Sequence, residues 1–198
     1  MTVSSVATGY DGISLLAGNA AYDPAAFFLI QRATGTGSSS TISFTSIPST
    51  YKHLQIRGTI KYDGAGATGS GINLRFNSDS TAVYAAHYMY GDGATVSAAG
   101  VANSTEIFSG YFGVQATATN VVGTIIIDIH DYANTSKFKT TRTSGGADYN
   151  YTGSNPGYLG VNSGLWRSTS AISSLQLLSG GSGNFTTQST FALYGMVG

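Results

Sequence analysis

The chain has 198 residues, of which 41% are hydrophobic and 12% aromatic, enough for one substantial core and far from the composition of a disordered segment. Nine basic residues balance nine acidic ones and neither sign forms a run, which removes the electrostatic footprint of a nucleic-acid or anionic-membrane partner. The absence of cysteine excludes a disulfide framework, a thiolate metal site and a cysteine nucleophile together.

The N-terminus, MTVSSVATGY, has no basic stretch ahead of an apolar one, and nowhere do eighteen apolar residues follow one another. Neither a signal peptide nor a membrane-spanning helix is expected, and synthesis in the cytoplasm follows. Residues 1–24 lack strand alternation and carry turn signals, so they read as an extended N-terminal arm. Its apolar Ile13, Leu15 and Leu16, with Tyr22, want a partner surface; we assign them to docking on a neighbouring subunit or particle. Residues 25–198 form the second unit, a β domain.

Twenty-seven glycines against three prolines, with Ser, Thr and Asn between apolar runs, is the composition of many short strands joined by tight turns. Strands are expected at Phe27–Arg32 and Thr41–Thr45, followed by a long one with Leu54, Ile56, Gly58, Ile60 and Tyr62 on its dry face. Ile72, Leu74 and Phe76 alternate in the same way after the DGAGATGSG loop, which suggests a hairpin. Further strands are expected at Ala82–Tyr90, Thr105–Val114 and Val121–His130, the last apolar on both faces like a central strand covered on both sides. Lys137–Thr143, Tyr158–Trp166, Ala171–Leu178 and Thr190–Val197 complete about ten strands, the pattern of an antiparallel sandwich or barrel.

Candidate chemistry is sparse. His130 and Asp131, with Asp128 on the same strand, form a compact His/carboxylate group without a local third ligand, while His53 and His87 lie on other strands. Glu106 is the single glutamate, and with Asp128 it is the one strand-borne carboxylate pair worth testing as acid and base; the remaining aspartates sit mostly in turns such as Asp63-Gly64 and Asp92-Gly93. No Gly-x-Ser-x-Gly elbow stands between a strand and a helix, and GAGATGSG lacks the lysine and the helix of a phosphate loop. No catalytic residue, cofactor or metal is assigned. Tyr149, Asn150, Tyr151 and Tyr158, with Trp166 and Asn155 near them, are the candidates for surface recognition of sugar or protein, against a plainer reading as core and turn aromatics.

Five stretches, TISFTSIPSTYKHLQIRGT, INLRFNSDS with the aromatic-rich HYMYGDG, IDIHDYANTSKFKT, GLWRSTSAISSLQLL and GNFTTQSTFALYG, resemble a family of tailed-phage virion proteins and fibre modules of marine and cyanobacterial phages. The resemblance implies an all-β antiparallel sandwich of jelly-roll type, a homotrimer, on the virion exterior as a capsid decoration, a cement protein or a short tail fibre. It implies contact with the major capsid protein or with tail proteins and brings no catalytic residue. Receptor binding to a host-surface glycan is the alternative role. In packing terms, Ile47-Pro48 is expected to begin a turn, Trp166 to anchor a sheet face, and Phe191, Leu193 and Met196 to fill the core.

Overall fold

The structure is a computed structural model that describes residues 27–65, 70–149, 157–181 and 183–197. Twelve strands form in chain order: β1 (Phe28–Thr34), β2 (Thr41–Phe44), β3 (His53–Ile60), β4 (Ile72–Phe76), β5 (Tyr84–Gly91), β6 (Val96–Ser104), β7 (Ile107–Phe108), β8 (Gly123–His130), β9 (Lys139–Asp148), β10 (Gly157–Trp166), β11 (Leu175–Ser179) and β12 (Thr190–Met196). No helix forms among the described residues, and so none is long and apolar enough to cross a membrane.

The strands make two antiparallel sheets, an all-β sandwich. One is eight-stranded in the order β1-β12-β3-β8-β9-β10-β5-β6, the other four-stranded in the order β2-β11-β4-β7. Four of the pairings nest inside one another along the chain: β1 with β12, β2 with β11, β3 with β8, and β4 with β7. These eight strands divide between the two sheets as 1-12-3-8 and 2-11-4-7. The remaining strands, β5–β6 and β9–β10, pair with each other through β5 and β10 and extend the large sheet beyond that frame. We refer to β9, β10, β5 and β6 as the wing.

Alternation makes the core. Leu54, Ile56 and Ile60 of β3, Ile125, Ile127 and Ile129 of β8, and Phe191 and Leu193 of β12 face Phe44 of β2, Leu175 and Leu177 of β11, and Ile72, Leu74 and Phe76 of β4, all buried. Each such side chain is worth roughly 1.5–3 kcal/mol of burial, so this layer dominates stability. Gly58 leaves no room for a larger residue, because a Cβ there would lie 2.2 Å from the ring of Phe191, its register partner on the neighbouring strand β12.

Polar groups close the ends of the sandwich. The Tyr132 hydroxyl, on the β8–β9 turn, donates to the Pro48 carbonyl and accepts from the Tyr51 amide at 3.4 Å. Asn77 adopts a left-handed backbone (φ 50°), and its Oδ1 accepts from the Ser173 and Ser174 amides at 2.9 and 3.1 Å. Trp166 packs between Phe76 and Tyr84 and donates Nε1–H to Asp79 at 2.9 Å. Four of the motifs that carry the resemblance are thus joined at two places, IPSTYKH to IDIHDYANTS and NSDS to WRSTSAISS.

Several expectations change. Among the described residues twelve strands replace about ten, because β6 is made of Ala, Gly, Ser, Val and one Asn and carries little alternation to betray it. The expected strand Thr105–Val114 contracts to Ile107–Phe108, the chain then turning under the wing. β3 and β4 are not a hairpin, since they lie in different sheets. β8 is central but covered on one face only, its burial alternating so that Ile126 points outward, 39% exposed. Met196 shares the outward face with Tyr194 while Phe191 and Leu193 fill the core. The arm residues Ile13, Leu15, Leu16 and Tyr22 lie outside the described residues.

Removing the Tyr132 hydroxyl while keeping its ring tests the end closure. We expect Tyr132→Phe to cost about 1–3 kcal/mol, because a partly buried carbonyl loses its donor. Urea unfolding should show a lower midpoint with an unchanged slope.

Candidate functional site

The wing differs chemically from the rest of the molecule. β5, β6 and β10 carry not one Lys, Arg, Asp or Glu. Cross-strand register sets a row of outward residues across the large sheet: Arg32, Ala192, Arg57, Ile126, Ser144, Val161, Met89 and Ala98. The row is basic at the β1 side and apolar toward β6. Met89 and Val161, 49% and 42% exposed, line an open trough of about 700 Å³ with His87, Ala98, Arg142 and Ser163. Leu159, beside them on β10, is 74% exposed.

The inward side of the wing carries aromatic rings. The four-stranded sheet reaches the wing chiefly through β7, which packs on β10 and β5, and the space beyond is filled by Phe108 of β7 and by Tyr111. Tyr88 lies 4.7 Å from Phe108 and 6.4 Å from Tyr111 between ring centroids, and Tyr90 lies 5.2 Å from Tyr111 and 5.5 Å from Tyr158. All five rings are half-buried. Burial and the neighbouring phenols push the Tyr111 hydroxyl above its ordinary pKa, and burial does the same at Tyr158, so both remain neutral donors. Beside Tyr88 and Tyr111 a groove of about 250 Å³ is edged by Glu106 and Asn73. Glu106 is held in place by Asn73 at 2.7 Å and Arg75 at 3.2 Å. Aromatic faces beside a fixed carboxylate and amide can hold a sugar ring through its C–H face and its hydroxyls.

Of the sequence candidates, Tyr158 belongs to this cluster. Tyr149 does not offer a surface: it is 2% exposed, donates to the Tyr111 carbonyl at 3.1 Å and packs with Val114 and Ala147. Its position next to the hairpin end suggested exposure, but the chain after β7 folds over it. Asn150, Tyr151 and Asn155 lie outside the described residues. Trp166 is core. Tyr88, Tyr90 and Tyr111 were missed as recognition residues, although the i, i+2 spacing of Tyr88 and Tyr90 puts both on one strand face; nothing local marks Tyr111.

The titratable groups do not converge. Glu106 bonds Asn73 and Arg75, whereas Asp128 accepts from Gln55 at 2.6 Å on the outward face. His130 lies beside His53, ring centroids 5.2 Å apart. Asp131 is held by Lys52 at 3.1 Å and by Lys137, which keep its carboxyl at about 2. Its amide donates to His53 Nδ1 at 3.0 Å, so that nitrogen must be unprotonated. Burial and the neighbouring His130 lower the His53 pKa accordingly. No group of three or more potential metal ligands forms among the described residues. The chain matches no family model, no curated protein and no solved structure.

Two acid steps follow. Because the folded His53 pKa lies below the ordinary value of about 6.5, stability is complete above that pH and falls as pH drops through the lowered value. Asp131 contributes above about pH 4, and that contribution is lost as pH falls toward about 2. Urea midpoints measured from pH 7 to pH 2 should show both declines. We expect His53→Gln to flatten the upper one and Asp131→Asn the lower.

Proposed function

We propose that this chain is a non-enzymatic structural protein of a tailed-phage virion, carried on the particle exterior as capsid decoration, cement or short fibre. The carrying observation is the wing, a large-sheet extension with no charged residue on three of its four strands and an exposed apolar trough. A surface of that kind suits a repeating assembly, where affinity comes from buried area and multivalency instead of from a few ion pairs. The fold is read as a jelly roll with two inserted hairpins. Support for this comes from the nested pairs β1·β12, β2·β11, β3·β8 and β4·β7, the pattern of one long antiparallel ribbon rolled over a core. The resemblance adds the homotrimer and the outward position, and the proposed partners are the major capsid protein or tail proteins. Residues 1–24 form the docking arm, with Ile13, Leu15, Leu16 and Tyr22 as its anchors.

A chain lacking residues 1–24 is expected to fold, with an unfolding midpoint close to that of the full chain, and to fail to load onto particles. Incorporation at full occupancy would refute arm docking. Cryo-electron microscopy of the particle decides the location: copies arrayed over the shell identify decoration, and a few copies at the tail identify a fibre.

A second reading, recognition of a host-surface glycan, is favoured by the groove beside Tyr88, Tyr111 and Glu106. On a glycan array the native assembly should give signal that Tyr88→Ala and Glu106→Gln reduce about tenfold or more, while Tyr158→Ala acts more weakly. An array without signal for the native assembly counts against this role.

A further inference from the structure

The two edges of the eight-stranded sheet are treated in opposite ways. β1, at one edge, is seven residues long, carries Arg32 in its middle and has a register irregularity between Leu29 and Gln31. Nearby, the Arg57 guanidinium sits 5.0 Å over the Phe27 ring. A charge, a short length and a bulge are the devices by which sheets avoid pairing at an edge. β6, at the other edge, has neither a charge nor a short length. It is nine residues, VSAAGVANS, with no charge and no proline, and its one register irregularity lies at the far end beside Tyr84. At about 3.4 Å per residue it presents an edge about 30 Å long.

β6 is also bare on both faces. Every residue from Ala98 to Asn103 is exposed, because the four-stranded sheet stops short of it and, among the described residues, only the His87 ring lies over its outward side. Val96 is 76% exposed and Val101 38%. The strand is nevertheless held firmly along its inner edge by an eight-residue register with β5. On the outward side the His87 ring lies across Gly100, where a Cβ would come within 2.7 Å of it, fixing the middle of the strand as glycine. A well-formed, uncharged, uncovered edge is a template for one more strand.

We propose that β6 pairs antiparallel with β6 of a second copy of this chain across a two-fold axis near Gly100, joining two eight-stranded sheets into one. The strand suits itself as partner: it meets an edge of equal length, and in any antiparallel register no charge opposes a like charge, because it has none. The other edge of the sheet suits it less, since Arg32 would be brought over small apolar residues. Pairing would also set the two exposed apolar troughs, each reaching β6 at Ala98, on one continuous face. A two-fold contact is isologous, so it doubles whatever unit it joins. A monomer becomes a dimer, and a trimer becomes a pair of trimers. The proposal does not depend on where the protein works, and a failure to load onto particles leaves it standing.

Native mass spectrometry and light scattering on the full chain test it at micromolar concentration. We expect an even-numbered assembly; a monomer or an odd-numbered assembly overturns the proposal. The double variant Ala98→Lys/Ala102→Lys puts two charges on one face of each edge and should halve the mass, with its circular dichroism unchanged. An unhalved mass in a folded variant overturns the pairing. Because the chain has no cysteine, the double variant Ala98→Cys/Ala102→Cys, which sets residue 98 of one copy opposite residue 102 of the other, keeps the idea falsifiable if the lysine variant fails to fold. It should give a disulfide-linked pair under mild oxidation, while Thr34→Cys on β1 should give none. Linkage at β1 alone would assign the contact to the wrong edge.

Discussion

Half of an eight-stranded sheet has only partial cover from the smaller sheet. The four strands β2, β11, β4 and β7 cover β1, β12, β3 and β8, and there the two apolar faces meet to form the core. The wing must find other cover for its inner face. Chain following β7 supplies part of it, with Phe112 packed so close under β8 and β9 that a Cβ at Gly145 would lie 2.5 Å from its ring. Tyr149 and Val114 form a second small core beside it. The cover holds over Tyr84 and Ala86 at the start of β5 and thins beyond them toward β6, where half-buried tyrosines take over. Tyrosine suits that boundary, since its ring packs while its hydroxyl stays hydrated.

The frame beneath is stiffened where chain segments distant in sequence meet. The bonds from Tyr132 to Pro48 and Tyr51, and from Asn77 to the β10–β11 connection, tie the turns to each other, and the Lys52–Asp131 pair adds a charged link at the first of them. Even the buried Lys139 is satisfied by carbonyls, those of Lys137 and Thr169 at 3.0 and 3.1 Å. Desolvation lowers its pKa, as burial of an ammonium must. Stability therefore rests on apolar layers and backbone-directed hydrogen bonds, both weakly sensitive to salt.

A rigid frame and a sparsely charged extension divide the labour that the proposed role requires. The frame keeps its ends and core through exchange of partners, and the wing presents area. Low charge lets copies approach without repulsion, at some cost in solubility as free subunits. The tyrosine groove and the apolar trough occupy opposite faces of the same strands, so a glycan on one face and a protein neighbour on the other do not compete for space.

The strands of the frame were legible in the sequence because period-two alternation survives wherever one face is buried. Leu54, Ile56 and Ile60, and likewise Ile72, Leu74 and Phe76, announce their dry faces, and Trp166 and Phe191 their burial. Composition alone fixed the all-β class and removed thiolate chemistry. Which strands pair was not legible: β3 and β4 look like a hairpin locally, but the nested pairing that separates them belongs to the whole ribbon. β6 was missed because small residues exposed on both faces leave no alternation to read. Tyr149 was misplaced and Tyr111 overlooked for one reason, that burial at the wing depends on where the chain after β7 folds back, which no short stretch encodes. Local pattern determined what each strand buries; only tertiary packing decided which surfaces were left uncovered, because cover depends on how many strands the opposing sheet can supply.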